Sequence, residues 1–251
     1  MGRRVEQYLR KKIDGEGAIH MTLLDPEKTG SNDCATIARE AEKAGTAAIM
    51  VGGSTLASNS DLDEAVKKIK ASVNIPVILF PNNITGVSRH ADAIWFMSLL
   101  NSSNTYYLID VQALTARLVK SYKLETLPMG YIIIGDGGAA GFIGQARPIS
   151  PDHPELALGY SLAAENLGMR FVYLEAGSGA DKPVPPEMIK LVKSYLSVPL
   201  IVGGGIRDGA AARQTMEAGA DIIVTGTLVE DTEKIRERIY DIVDNIKSVR
   251  R

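Results

Sequence analysis

Phe171-Val-Tyr-Leu-Glu-Ala-Gly-Ser-Gly179, Pro199-Leu-Ile-Val-Gly-Gly-Gly205 and Asp221-Ile-Ile-Val-Thr-Gly-Thr227 are three apolar runs that each end in glycine. Each is short, continuous and β-branched, as a strand buried on both faces of a parallel sheet must be. Each is followed by a helix-like stretch. Glycine at a strand exit lets backbone N–H groups approach a ligand oxygen with no Cβ in the way. Two such exits in succession, with a helix opening after the second, make a phosphate cradle, the one formed after the last two strands of a (β/α)8 barrel.

The rest of the chain repeats the alternation. Strands are expected at Ala18–Asp25, Ala47–Gly53, Pro76–Pro81, Ala93–Leu99 and Tyr131–Gly135. Helices are expected at Asp33–Ala44 (capped by Ser31 or Asn32), Asp61–Ser72, Thr105–Ser121 and Glu155–Leu167, with a last one from about Asp231. Ile235, Ile239, Ile242 and Ile246 give that last helix one apolar face. Asn82–His90 has no helical stripe, so irregular chain is expected where a third helix belongs. A long loop, Asp136–Pro151, carries four glycines and two prolines; loops of this length are functional or mobile. Eight strands and 251 residues with no linker predict one modified TIM barrel spanning 1–251.

Composition narrows the function. A net charge of −2 argues against nucleic-acid binding through bulk electrostatics. The single cysteine, Cys34, excludes a disulfide framework and suits a reducing cytoplasm. No signal-peptide pattern opens the chain and no apolar run nears the ~20 residues that span a bilayer, so a soluble cytoplasmic protein is expected.

Chemistry concentrates at the strand exits. Asp25, at the end of the first strand, is a natural oxygen ligand for Mg²⁺ and equally a natural cap for the turn at Pro26. Ser54 follows Gly52-Gly53 at the neighbouring exit, where it can share an ion with Asp25. Alternation puts Tyr173 and Glu175 on one side of their strand. A carboxylate there is costly unless paired or used, and a general base is the favoured reading. Of the three histidines, His20 can face the barrel interior, while His90 and His153 lie in loops; none has metal-ligand spacing. An isomerase or lyase acting on a sugar phosphate fits the fold as readily as a transferase.

Taken in order, Leu24-Asp-Pro-Glu-Lys28, Val51-Gly-Gly-Ser-Thr55, Tyr173-Leu-Glu-Ala-Gly-Ser-Gly179, Val202-Gly-Gly-Gly-Ile-Arg207 and Thr225-Gly-Thr227 resemble the geranylgeranylglyceryl phosphate synthase family. The resemblance implies prenyl transfer. The sn-3 hydroxyl of sn-glycerol 1-phosphate attacks geranylgeranyl diphosphate, or a heptaprenyl donor as in bacterial relatives. Leu-Glu-Ala-Gly-Ser-Gly looks like the archaeal form, which favours the C20 donor. The resemblance further implies Mg²⁺ on Asp25 and Ser54, and proton acceptance by Glu175 beside Tyr173. It places glycerol phosphate on Tyr173, Leu174, Glu175, Ala176, Gly177, Ser178 and Gly179, with its phosphate on Gly204, Gly205, Gly226 and Thr227 and Gly203 as a neighbour. A homo-oligomer is also implied. Trp95, Phe96, Tyr106 and Tyr107 are candidates for lining the prenyl groove.

Overall fold

The computed structural model describes residues 3–53, 58–226 and 235–248. Eight parallel strands pair in chain order and the eighth returns to the first, closing the barrel. They are β1 (Ile19–Leu24), β2 (Ala48–Val51), β3 (Val77–Leu79), β4 (Ala93–Leu99), β5 (Glu125–Ile133), β6 (Phe171–Glu175), β7 (Leu200–Gly203) and β8 (Ile222–Thr225). Around them stand α1 (Arg4–Glu16), α2 (Pro26–Thr29), α3 (Ser31–Ala44), α4 (Asn59–Ser72), α5 (Val111–Ser121), α6 (Gly138–Ile143), α7 (Pro154–Asn166), α8 (Pro186–Tyr195), α9 (Gly209–Glu217) and α10 (Ile235–Ser248). No described helix is long and apolar enough to cross a membrane.

Period-two alternation sorts the side chains into layers. Met21, Met50, Ile78, Trp95, Met129, Phe171, Tyr173, Ile201 and Ile222 fill the barrel interior. Their neighbours Ile49, Leu79, Ile94, Val172, Leu174, Val202 and Ile223 face outward and pack under the helices. The same alternation corrects the expectation for His20. Ile19 and Met21 point inward, so the ring between them points outward, where Nε2 bonds Thr225 Oγ1 (2.8 Å) and Nδ1 bonds Thr46 Oγ1 (2.9 Å). Burial there pushes its pKa down to about 3.

Three elements depart from the sequence reading. Helix α1, before the first expected strand, closes the N-terminal end of the barrel. Val5 and Leu9 join the interior cluster, and Glu125 accepts from the Val5 and Glu6 N–H groups (2.8 and 2.9 Å). The buried Glu6 pairs with Arg170 (2.7 Å) and Arg10 (3.1 Å). Strand β5 begins six residues before the expected Tyr131: pairing with β4 extends it to Glu125 through Pro128 and Gly130, which break its apolar run. Gly130 is needed there: a Cβ would fall 2.6 Å from that of Ala164 on α7. Helix α3 is preceded by Gly30 rather than capped by Ser31 or Asn32; the Ser31 hydroxyl bonds Glu64 instead (3.1 Å).

Between β3 and β4 the chain makes a 3-10 turn at Ile84–Gly86 within irregular backbone. A π-helical turn, Tyr106–Asp110, leads into α5. The 136–151 loop contains α6 and folds back over the barrel. Asn101 fastens it, donating to the Ile133 and Arg147 carbonyls (2.9 and 3.0 Å).

Candidate active site

Glu175 is the last residue of β6, inside the barrel at its C-terminal mouth, and only 6% exposed. Oε1 accepts from the Gly177 N–H (2.7 Å), and the hydroxyls of Tyr173 and Tyr131 also bond the carboxylate. Burial raises its pKa above the usual carboxylate value, opposed by these three donors. Burial and the adjacent carboxylate push both tyrosines well above their ordinary value, so they remain hydroxyl donors. Tyr131 had no signal in the sequence beyond its place in an apolar run. Phe80 stacks on Tyr173 (5.9 Å between centroids) and meets Tyr131 edge-on (5.6 Å), fixing both rings.

Two cavities open beside this cluster. The polar one, about 410 Å³, is lined by Tyr173, Glu175, Ser178, Gly179, Gly204, Gly205 and Gly226, with Thr225, Arg207 and Arg238. Its volume lies within the range of small-ligand sites. Gly204 and Gly205 adopt φ of +83° and +71°, open essentially to glycine. The expected set is thus brought together in part. Leu174 and Ala176 pack into the outer core, off the cavity wall. The Gly177 N–H serves Glu175, and Gly203 lies directly beneath the Tyr173 hydroxyl, where no Cβ fits. Those four act behind the surface rather than on it.

The apolar cavity is lined by Gly53, Phe80, Val87, Ile94, Trp95, Phe96, Tyr107, Val111, Tyr131, Ala140 and Ile143 among others. Of the four aromatics expected at a groove, Trp95, Phe96 and Tyr107 line it, while Tyr106 packs edge-on against Tyr107 (5.1 Å) and stays off the wall. The 136–151 loop, through α6, supplies Ala140 and Ile143. Among the described residues, Phe80, Tyr131 and Ala140 line both cavities, so the two meet at the Glu175 cluster.

Asp25 serves as the cap the sequence allowed: Oδ1 accepts the Glu27 N–H (3.1 Å) at the start of α2. Half-burial raises its pKa, opposed by the Glu27 N–H and by Lys28. Gly53 presses against this carboxylate with no space for a Cβ, so the β1 and β2 exits meet there. Ser54 and Thr227 lie outside the described residues. Among the described residues no cluster of three or more His, Cys, Asp or Glu side chains forms a metal cage.

The PcrB family model matches residues 8–247. The chain belongs to the PcrB family. Its PcrB-family relatives include the geranylgeranylglyceryl phosphate synthase of Thermofilum pendens, 55% identical over 96% of this chain and 94% of that one. That of Methanothermobacter marburgensis is 50% identical over 98% and 100%. The crystal structure of (S)-3-O-geranylgeranylglyceryl phosphate synthase from Thermoplasma acidophilum, in complex with sn-glycerol-1-phosphate, superposes with a TM-score of 0.94. It is 44% identical, covering 99% of this PcrB-family chain and 100% of that one. Thiamine phosphate pyrophosphorylase from Pyrococcus furiosus, 14% identical with a TM-score of 0.61, shares the fold alone.

Proposed function

We propose that this chain joins sn-glycerol 1-phosphate to geranylgeranyl diphosphate through an ether bond. The activity is that of a geranylgeranylglyceryl phosphate synthase, a prenyl transfer in archaeal lipid biosynthesis. The observation that carries the residue-level reading is the convergence of a polar and an apolar cavity on Glu175. The acceptor phosphate sits on Ser178, Gly179, Gly204, Gly205, Gly226 and Thr227, with its terminal hydroxyl at Glu175. The prenyl tail fills the apolar cavity, bringing C1 to the Phe80–Tyr131 junction. There the hydroxyl oxygen bonds C1 while Glu175 takes its proton, and the C1–oxygen electron pair leaves with diphosphate. Tyr131 and Tyr173 hold the carboxylate aimed at the hydroxyl.

The Asp25 end fits Mg²⁺, which is held by one or two carboxylates plus substrate phosphates rather than by an all-protein cage. Asp25 and Ser54 would hold it, and when bound it neutralises charge on the departing diphosphate. Asp25→Asn should raise the Mg²⁺ concentration for half-maximal rate by about tenfold or more, read by titrating initial rates. An unchanged Mg²⁺ requirement would remove Asp25 from that role. Homo-oligomerisation is the companion reading, supported by the exposed apolar side chains Ile109, Leu114 and Phe142.

The deciding assay supplies geranylgeranyl diphosphate and Mg²⁺ with either sn-glycerol 1-phosphate or sn-glycerol 3-phosphate. An extractable ether product that strongly favours the 1-phosphate, with diphosphate release, is expected. Product from neither acceptor would return the site to isomerase or lyase chemistry.

A further inference from the structure

Where β8 closes on β1, the layer between strands and helices holds a polar cluster that the chemistry above does not use. Thr22 Oγ1 donates to Thr46 Oγ1 (3.2 Å), Thr46 Oγ1 meets His20 Nδ1 (2.9 Å), and His20 Nε2 meets Thr225 Oγ1 (2.8 Å). All four side chains are buried, and Thr22 lies opposite Thr225 in the β1–β8 register. Burial keeps the ring neutral, with one donor and one acceptor nitrogen, and each has a hydroxyl to meet. An apolar side chain of similar size would fill this space with no polar group to desolvate. A satisfied polar network does something that apolar packing does not: it fixes one arrangement. The direction fixed here is that of the β8 exit. Thr225 is the last residue of β8, and Thr225 and Gly226 both line the polar cavity. Leu23 of β1 lines it beside them, and a Cβ on Gly226 would lie 3.6 Å from the Leu23 side chain and carbonyl. The bond from the His20 ring to Thr225 therefore ties β1 to β8 at the corner where the cradle begins.

We propose that His20 is a positioning residue for the acceptor's phosphate: by holding the Thr225 hydroxyl it sets where the chain leaves β8 and where Gly226 presents its N–H. The ring touches no substrate and acts through Thr225. The inference rests on the reading of this cavity as the glycerol phosphate site. Hydrogen bonds weaken steeply once their angle falls off line, so a small shift of this exit is felt in acceptor binding.

Two amides dissect the ring. An Asn amide reaches the place of Nδ1 and leaves Thr225 unpaired, whereas a Gln amide reaches the place of Nε2 and keeps Thr225 while giving up Thr46. Each loses one bond of the network, so His20→Asn and His20→Gln both melt below wild type. In steady-state kinetics with each substrate varied, His20→Asn raises the KM for sn-glycerol 1-phosphate about fivefold or more. Its kcat and the KM for geranylgeranyl diphosphate stay near wild type, and His20→Gln recovers most of the loss. Thr225→Val keeps the shape and removes the hydroxyl; it raises the acceptor KM by a like factor, and combining it with His20→Asn adds nothing further. Equal rises in both amide variants, in step with their melting temperatures, would make the network merely structural and overturn the proposal. An acceptor KM unchanged in His20→Asn, or a rise confined to the donor, overturns it too. Gly226→Ala separates the two readings, since its Cβ meets only ordinary 3.6 Å contacts with Leu23. If it raises the acceptor KM and His20→Asn does not, the cradle stands and His20 falls. If neither moves it, the cavity is not the acceptor site and the proposal falls with that reading.

Discussion

Glu175→Gln lowers kcat by roughly three orders of magnitude and leaves acceptor binding nearly intact. The amide keeps the shape of the carboxyl, its oxygen still accepts the Gly177 N–H, and its NH2 can donate to a tyrosine hydroxyl oxygen, but it takes no proton. The loss therefore falls on kcat, the signature of an interaction made in the transition state. Wild-type kcat falls as pH drops through the raised Glu175 pKa, because the protonated form is no base; the glutamine variant lacks that acid limb. Stability moves the other way. The folded chain holds this proton more tightly than the unfolded one, so the group's contribution is full below the unfolded pKa. It is lost as pH rises through the folded pKa. The amide does not ionise, so the variant melts higher than wild type at neutral pH, and the gain vanishes in acid. Initial rates and melting curves across pH read both effects; an unaltered kcat would sink the base assignment.

Gly204→Ala removes activity and destabilises the fold together. At φ +83° a side chain costs roughly 1–2 kcal/mol. Its Cβ would fall 2.6 Å from Glu175 Oε1 and 2.7 Å from the Gly177 N and O. Those atoms are the carboxylate and the backbone that orients it, so relief of the clash displaces the base. With overpacking adding about 1–3 kcal/mol, the melting temperature drops by roughly 5–20 °C, and turnover falls by more than the folded fraction accounts for. Calorimetry beside kcat on the folded protein distinguishes the two losses. Activity that simply tracks the folded fraction would show that Gly204 matters for the turn and not for the site.

The barrel was legible because β-branched runs ending in glycine recur at strand exits. Alternation alone puts Tyr173 and Glu175 on one side of their strand, and closure of the barrel makes that the inner side. Strand β5 escapes a local reading because Pro128 and Gly130 are poor strand formers that pairing on both sides overrides, whereas α1 carries a legible stripe, with Val5, Tyr8, Leu9 and Ile13 at helical spacing. The outward side of His20 follows from the parity of Met21, which faces inward. At the site, glycine signalled close approach correctly, but not what approaches: Gly203 makes way for a tyrosine hydroxyl and Gly53 for Asp25. Phe80, Tyr131, Arg207 and Arg238 read as core or surface because nothing local marks residues that converge only after the barrel closes.

The wall of the apolar cavity comes from residues 53 to 144, and that of the polar cavity, Leu23 and the three shared residues aside, from 173 to 238. On the proposed reading, the wall that takes the hydrocarbon and most of the wall that takes glycerol phosphate are thus written in separate stretches of the chain. Changes in the earlier stretch can lengthen or shorten the accepted hydrocarbon while the stereochemistry of the ether is inherited untouched from the later one. A lineage facing a hotter or colder membrane can retune its lipids without reinventing the enzyme.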